Sequence, residues 1–90
     1  MNFEWDPKKA GKNKRKHDVT FHEAATFFSD PLAITFMDPD HSKDEARFLT
    51  FGLSRFNRLL VVSHTEIGNR IRIISARLMT RREWNIYEEG

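Results

Sequence analysis

The chain has 90 residues, no cysteine, and a net charge of +2 from 15 Lys and Arg against 13 Asp and Glu. That length makes a single domain, residues 1–90, and the absence of thiols excludes disulfides and thiolate metal sites. No apolar run approaches the ~20 residues of a membrane span, and the polar opening MNFEWDPKK lacks a signal-peptide pattern, so a cytoplasmic protein that does not associate with membranes is the expectation.

Near the start, Phe3 to Trp5 form a short strand or an anchoring arm. Asp6-Pro7 then begins a helix, with Asp as cap and Pro in the first position, running from Pro7 to about His17. Six cations and no acid fall between Lys8 and Lys16, which gives this helix a basic outer face. Thr20 and Glu23 make a capping box for a second helix, in which Phe21, Ala24, Ala25 and Phe28 form a buried stripe until Asp30-Pro31 stops it. Strands follow over 32–38, 47–54, 58–66 and 70–78, separated by an acidic loop from Asp38 to Glu45, a tight link at 55–57 and a Gly68-Asn69 turn. Thr80 and Glu83 form another capping box, which opens a C-terminal helix. The expected fold is therefore α+β: two N-terminal helices, a four-stranded antiparallel meander and a C-terminal helix.

No Gly-rich phosphate loop, nucleophile elbow or H-E-x-x-H motif is present, and the four His residues fall on different elements, so neither a cofactor nor a metal site is expected. RNA cleavage, by contrast, needs little machinery. The substrate's own 2′-OH is the nucleophile; the protein must align it, move two protons and neutralise the charge growing on the phosphate. Five arginines lie between Arg70 and Arg82 with no acid among them, and guanidinium forks suit phosphate. A basic sheet with Arg47, Arg70, Arg72, Arg77, His64, Glu83 and Tyr87 would suffice, with Arg81, Lys14 and Lys16 as further RNA contacts.

Each residue also has a structural reading. His64 shares strand parity with Leu60 and Val62 and suits acid–base work or a structural hydrogen bond. Arg77 shares parity with Ile71 and Ile73, so it is expected to point towards their buried side, as a phosphate ligand at a cleft rim or as the ion-pair partner of Glu83 or Glu23. Arg70 and Arg72 fall on the opposite face with Ile74. Glu83 is a helix cap or a base. Tyr87 and Trp84 pack on the sheet or serve the site, and Phe27, Phe56 and Trp84 are candidates for an exposed apolar patch.

In order along the chain, FEWDPKKA, N-x-x-K-H at Asn13 to His17, V-x-F-x-E-A from Val19, V-x-H-T-E from Val62, and RIRIISAR-x-x-T-x-x-E-x-x-x-YEE from Arg70 resemble the BrnT family of toxins from BrnT/BrnA type II toxin–antitoxin systems. The resemblance runs from Phe3 to Gly90. Met79, in place of a smaller residue, and Phe56-Asn57, in place of a plainer polar turn, depart from the pattern. The resemblance implies a RelE-like ribonuclease fold and a metal-independent endoribonuclease that halts translation. It also implies a BrnA-like antitoxin with a ribbon-helix-helix region, in a heterotetramer around an antitoxin dimer that reaches operator DNA through the antitoxin. Two other classes fit the same basic surface: a non-catalytic RNA- or DNA-binding module, and a structural partner that seats an acidic antitoxin segment.

Overall fold

Asp6 and Pro7 start α1 (Pro7–His17) by the chemistry of their side chains: the Asp6 carboxylate accepts the Lys8 amide at 2.8 Å, and proline fills a first-turn position that has no hydrogen bond to lose. The structure, a computed structural model, describes residues 2–38, 40 and 46–89. Apart from Asp38 and Asp40, the expected acidic loop and its His41 lie outside the described residues. Asp18, in the left-handed region at φ 56°, closes α1. Thr20 caps α2 (Phe21–Thr26), its hydroxyl accepting the Glu23 amide at 3.0 Å. Glu23 does not return the bond. Its carboxylate accepts two bonds from Arg58 and one from Ser54 at 2.8 Å, which ties α2 to the tight link around residues 54–58. A 3₁₀ turn, Phe27–Ser29, follows α2.

Among the described residues the sheet has five strands, β1 (Asn2–Glu4), β2 (Ile34–Met37), β3 (Arg47–Leu53), β4 (Leu59–Ile67) and β5 (Arg70–Leu78), in the order β1-β5-β4-β3-β2; α3 (Arg81–Glu89) ends the chain. β2 to β5 form the expected antiparallel meander. The expectation of four antiparallel strands is corrected by β1, which pairs parallel with β5, Phe3 opposite Ile71. A strand of three residues has no periodicity of its own, and its partner lies at the far end of the chain.

Helices α1 and α2 cover one sheet face. Val19, Phe21, Ala24 and Phe27 pack there against Leu60, Val62, Ile71, Ile73 and Ala76, with Phe3 and Trp5 at the border. Phe27 is fully buried and is therefore not part of an exposed patch, whereas Phe56 is 64% exposed. Gly52 admits the Phe27 ring: a Cβ at residue 52 would lie 2.9 Å from Phe27 Cδ2.

The register breaks once along β4 and β5. Ser63 pairs with Ser75, but His64 pairs with Ile73, so Ile74 is an extra residue in β5. Beyond it the parity reverses. Ala76, not Arg77, follows Ile71 and Ile73 into the core, while Arg77 pairs with Val61 on the opposite face. This corrects the orientation expected for Arg77, which simple alternation across nine residues misassigns.

On the outer edge of β5 the side chain of Asn13 takes the place of a strand. Its Oδ1 accepts the Ala76 amide at 3.0 Å, and its Nδ2 donates to the Ala76 carbonyl at 2.8 Å and to the Val19 carbonyl at 2.9 Å. Asn13 is 6% exposed. Replacing it leaves buried peptide groups unpaired. Asn13→Ala is expected to lower unfolding free energy by about 2–4 kcal/mol, measured by urea denaturation, and Gly52→Ala to destabilise through its clash with Phe27. An Asn13→Ala protein as stable as wild type would refute the clamp.

Candidate nucleic-acid interface

Residues paired across the sheet share a face, so the register assigns the face that α1 and α2 leave uncovered. One rung carries Glu4, Arg72, Thr65 and Arg47; the next Ser75, Ser63, Leu49 and Phe36; the next Arg77, Val61, Phe51 and Ile34. Arg70 extends the face beside Ile67. Arg47, Arg70, Arg72 and Arg77 thus point to one side, with Ser63 and Ser75 among them. Arg47 and Arg72 lie two strands apart, about 10 Å between backbones.

Among the described residues, Glu4 and Glu83 pair with three of these arginines. Glu4 lies 3.0 Å from Arg70 and 3.8 Å from Arg72, with both arginines about half exposed. Its place on this face depends on the β1–β5 pairing, and sequence periodicity does not show it. Glu83 grips Arg77 end-on: Nη1 donates to Oε1 at 2.7 Å and Nη2 to Oε2 at 2.8 Å. Arg77 Nη1 also donates to the Leu78 carbonyl at 3.3 Å. Its Nε–H and one Nη2 hydrogen remain without a protein partner among the described residues. Glu83 completes the capping box of α3 as well, accepting the Thr80 amide at 2.9 Å while its own amide donates to the Thr80 hydroxyl. The hydrogen bond from Arg77, supported by those from Thr80, outweighs burial and holds the Glu83 carboxyl down at about 2. The same bond raises the Arg77 pKa.

The other end of α3 is fastened by Tyr87, whose hydroxyl donates to Asp30 Oδ2 at 2.7 Å. Burial, then the Asp30 carboxylate, pushes Tyr87 up to about 12. Asp30 also accepts the amides of Leu32 and Leu53. Burial raises its pKa, but these bonds together outweigh burial and leave it lowered. Asp30 thus joins the 3₁₀ turn, β3 and α3. In the sequence it reads only as a helix stop before proline.

His64 is not brought to the arginines. It belongs to the helix-covered face, is 1% exposed, and lies between Phe28 and Phe48 at ring distances of 5.1 and 5.8 Å. Nε2 bonds Thr50 Oγ1 at 2.7 Å, and Thr50 bonds Thr35. Burial lowers its pKa to about 4. As placed, it is a neutral core histidine. Arg81 lies over the Trp84 ring at 5.0 Å in the first turn of α3. Lys14 and Lys16 diverge: Lys14 lines a hollow with Trp5, Phe21 and His22, and Lys16 a groove beside Ile74 and Ser75.

The arrangement is a basic sheet face, backed by helices and framed by a C-terminal helix that carries the carboxylate partner of one arginine. Residues 5–83 match the family model described as "Ribonuclease toxin, BrnT, of type II toxin-antitoxin system", and the chain belongs to that family. A type II system implies an antitoxin partner. The crystal structure of the Brucella abortus ribonuclease toxin BrnT aligns with a TM-score of 0.66 at 21% identity, covering 90% of this chain and 99% of that one, which is a likeness of fold. No curated protein matches the chain. No helix among the described residues is long and apolar enough to cross a membrane.

The low pKa of His64 has a stability consequence. The folded protein keeps it neutral down to about pH 4, whereas the unfolded chain takes up the proton near 6.5. Its stabilising share is complete above about pH 6.5 and is lost as pH falls through about 4, on the order of 3 kcal/mol in all. Denaturation across this range should show the decline in wild type and a shallower one in His64→Gln. An imidazole titrating near 6.5 by NMR would contradict the placement.

Proposed function

We propose that this toxin is a metal-independent endoribonuclease of RelE-like fold that cuts RNA in the cytoplasm and thereby inhibits translation, working as a single domain. The observation that carries the reading is the forked Arg77–Glu83 pair on the same sheet face as Arg47 and Arg72. RNA entering this face meets Arg77 and, two rungs away, Arg72 and Arg47, guanidinium groups that would supply charge stabilisation of the kind a metal ion supplies elsewhere. Arg77 is the phosphate ligand, assisted by Arg72 and Arg47, with Arg70 and Arg81 holding flanking phosphates.

Substrate phosphate competes with Glu83 for the Arg77 fork. Released from Arg77, the Glu83 carboxylate loses the largest cause of its low pKa and serves as the base. It takes the proton of the 2′-OH, whose oxygen attacks phosphorus and forms a 2′,3′-cyclic phosphate as the bond to the 5′-oxygen breaks. Tyr87 is four residues on, hence on the same side of α3 one turn away, and it is protonated at neutral pH; it returns a proton to the leaving 5′-oxygen. His64, buried on the other face, has no part in this scheme. The partner of the toxin is a BrnA-like antitoxin, in a heterotetramer built around an antitoxin dimer, and operator DNA is reached through that antitoxin.

Purified protein free of antitoxin, incubated with RNA in EDTA, is expected to leave 2′,3′-cyclic phosphate ends. Arg77→Ala is expected to cost about 100-fold or more in kcat. Because Arg77 also helps anchor α3, its melting curve is recorded beside Arg77→Lys, which keeps charge but loses the fork. A folded Arg77→Ala protein with full activity would remove Arg77 from the site, and RNA binding without turnover would favour a non-catalytic binding module.

A further inference from the structure

The second basic block of the chain has no part in that scheme. Helix α1 carries Lys8, Lys9, Lys12, Lys14, Arg15 and Lys16 and no acid. Among the described residues, none of these side chains forms an ion pair with a carboxylate. Lys8 and Lys12, and Lys12 and Lys16, are four apart, so the helix carries like-charge repulsion that a protein partner within the fold does not relieve.

Three of the lysines converge on one feature. Lys9, Lys12 and Lys16 recur at helical spacing on one side of α1, spanning about 10 Å at 1.5 Å per residue. With His17 they form one wall of an open groove of about 280 Å³, whose other wall is Ile74 and Ser75 of β5. Both walls have a structural cause. Asn13, on the groove floor, fastens α1 to the Ala76 peptide groups. The extra residue of β5 is Ile74, half-buried and turned into the groove rather than locked in the core.

Ser75 connects the groove to the arginine face. It pairs with Ser63 in the rung between Arg72 and Arg77, and it also lines the groove. The positive surface therefore continues from the sheet, over the open edge of β5 beyond the end of β1, onto α1.

We infer that this groove is a second subsite for RNA, in which Lys9, Lys12 and Lys16 hold the phosphates of a single strand that leaves the arginine face past Ser75. The inference rests on the proposed reading of that face and adds a path for the strand. A row of cations at helical spacing suits a stretch of backbone better than one isolated phosphate. Ile74 offers an apolar contact for sugar or base, which sequence-tolerant single-strand binding uses.

The test uses two uncleavable 2′-O-methyl oligouridines, a trinucleotide that the arginine face alone can cover and an oligomer several times longer. Binding is measured by fluorescence anisotropy across a salt series, beside cleavage of natural RNA. Lys9→Gln/Lys12→Gln is expected to bind the longer oligomer about tenfold more weakly, with its salt slope reduced by about 1.4, at roughly 0.7 per phosphate contact on a single strand. Trinucleotide affinity is expected to stay at the wild-type value. Lys8→Gln/Arg15→Gln removes the same charge from α1 outside the groove and is expected to change neither. Equal losses in both double variants would reduce the effect to net charge and overturn the subsite. So would an unchanged Lys9→Gln/Lys12→Gln protein that still cleaves RNA, an outcome that leaves the function of the sheet face standing. Normal oligomer binding with weakened antitoxin affinity would assign the groove to the protein partner instead. A wild-type protein that neither binds nor cleaves would remove both proposals.

Discussion

Ile74 is one residue more than its partner strand can match, and much of the molecule follows from how that excess is placed. Strand β5 enters with isoleucines in the core and arginines outside. After the bulge it continues with Ala76 inside and Arg77 outside. Without the shift, strict alternation would bury Arg77 beneath α1 and α2 beside Ile71 and Ile73. A desolvated guanidinium there would need a carboxylate, and the nearby buried one, Glu23, already serves Arg58. A β-bulge solves the problem with local twist instead of a buried charge. Asn13 stabilises the result by satisfying both Ala76 peptide groups at an edge that β1, three residues long, does not reach.

Helix α3 illustrates how little apolar burial an element needs when polar contacts are well aimed. None of its residues is fully buried. Two contacts fix it, Glu83 to Arg77 and Tyr87 to Asp30, one helical turn apart. Each joins groups that also serve elsewhere: Glu83 caps the helix, and Asp30 accepts two backbone amides. The helix terminus is thereby coupled to the charge state of the sheet face. An anion that took Arg77 from Glu83 would loosen the first of these contacts, so the pairing of Arg77 and the docking of α3 share one carboxylate.

Among the described residues most charge is kept apart from the packing, with the buried Glu23, paired to Arg58, and Asp38 as exceptions. The core uses phenylalanine, leucine, valine, isoleucine and alanine from the helices and one sheet face, and the buried imidazole of His64 stays neutral because burial opposes protonation. Arg47, Arg70, Arg72 and Arg77 lie on the face that α1 and α2 leave uncovered and Lys9, Lys12 and Lys16 along one side of α1, and the two sets meet where β5 is exposed at its edge. Arginine is placed where forked contacts are available, and lysine where a flexible point charge can follow a backbone.

Much of this was legible in the residues themselves. Asp6-Pro7, Thr20 and the Thr80–Glu83 box set helix starts by contacts within three positions, and the meander follows from strands joined by short turns. The family resemblance rested on motifs that are contiguous or nearly so, and the match over residues 5–83 agrees with it. What the tertiary structure alone decided are relations between distant residues. These are the parallel pairing that puts Glu4 beside Arg72, the choice of Arg58 over Arg77 for Glu23, the joining of α3 to β3 through Asp30, and the burial of His64 and Phe27. The face of Arg77 belongs with them although β5 is local, because a bulge is set by the partner strand. Capping and periodicity are properties of a few neighbouring peptide units. Register, edge protection and ion-pair choice are settled only when segments far apart in the chain compete for the same space and the same hydrogen bonds.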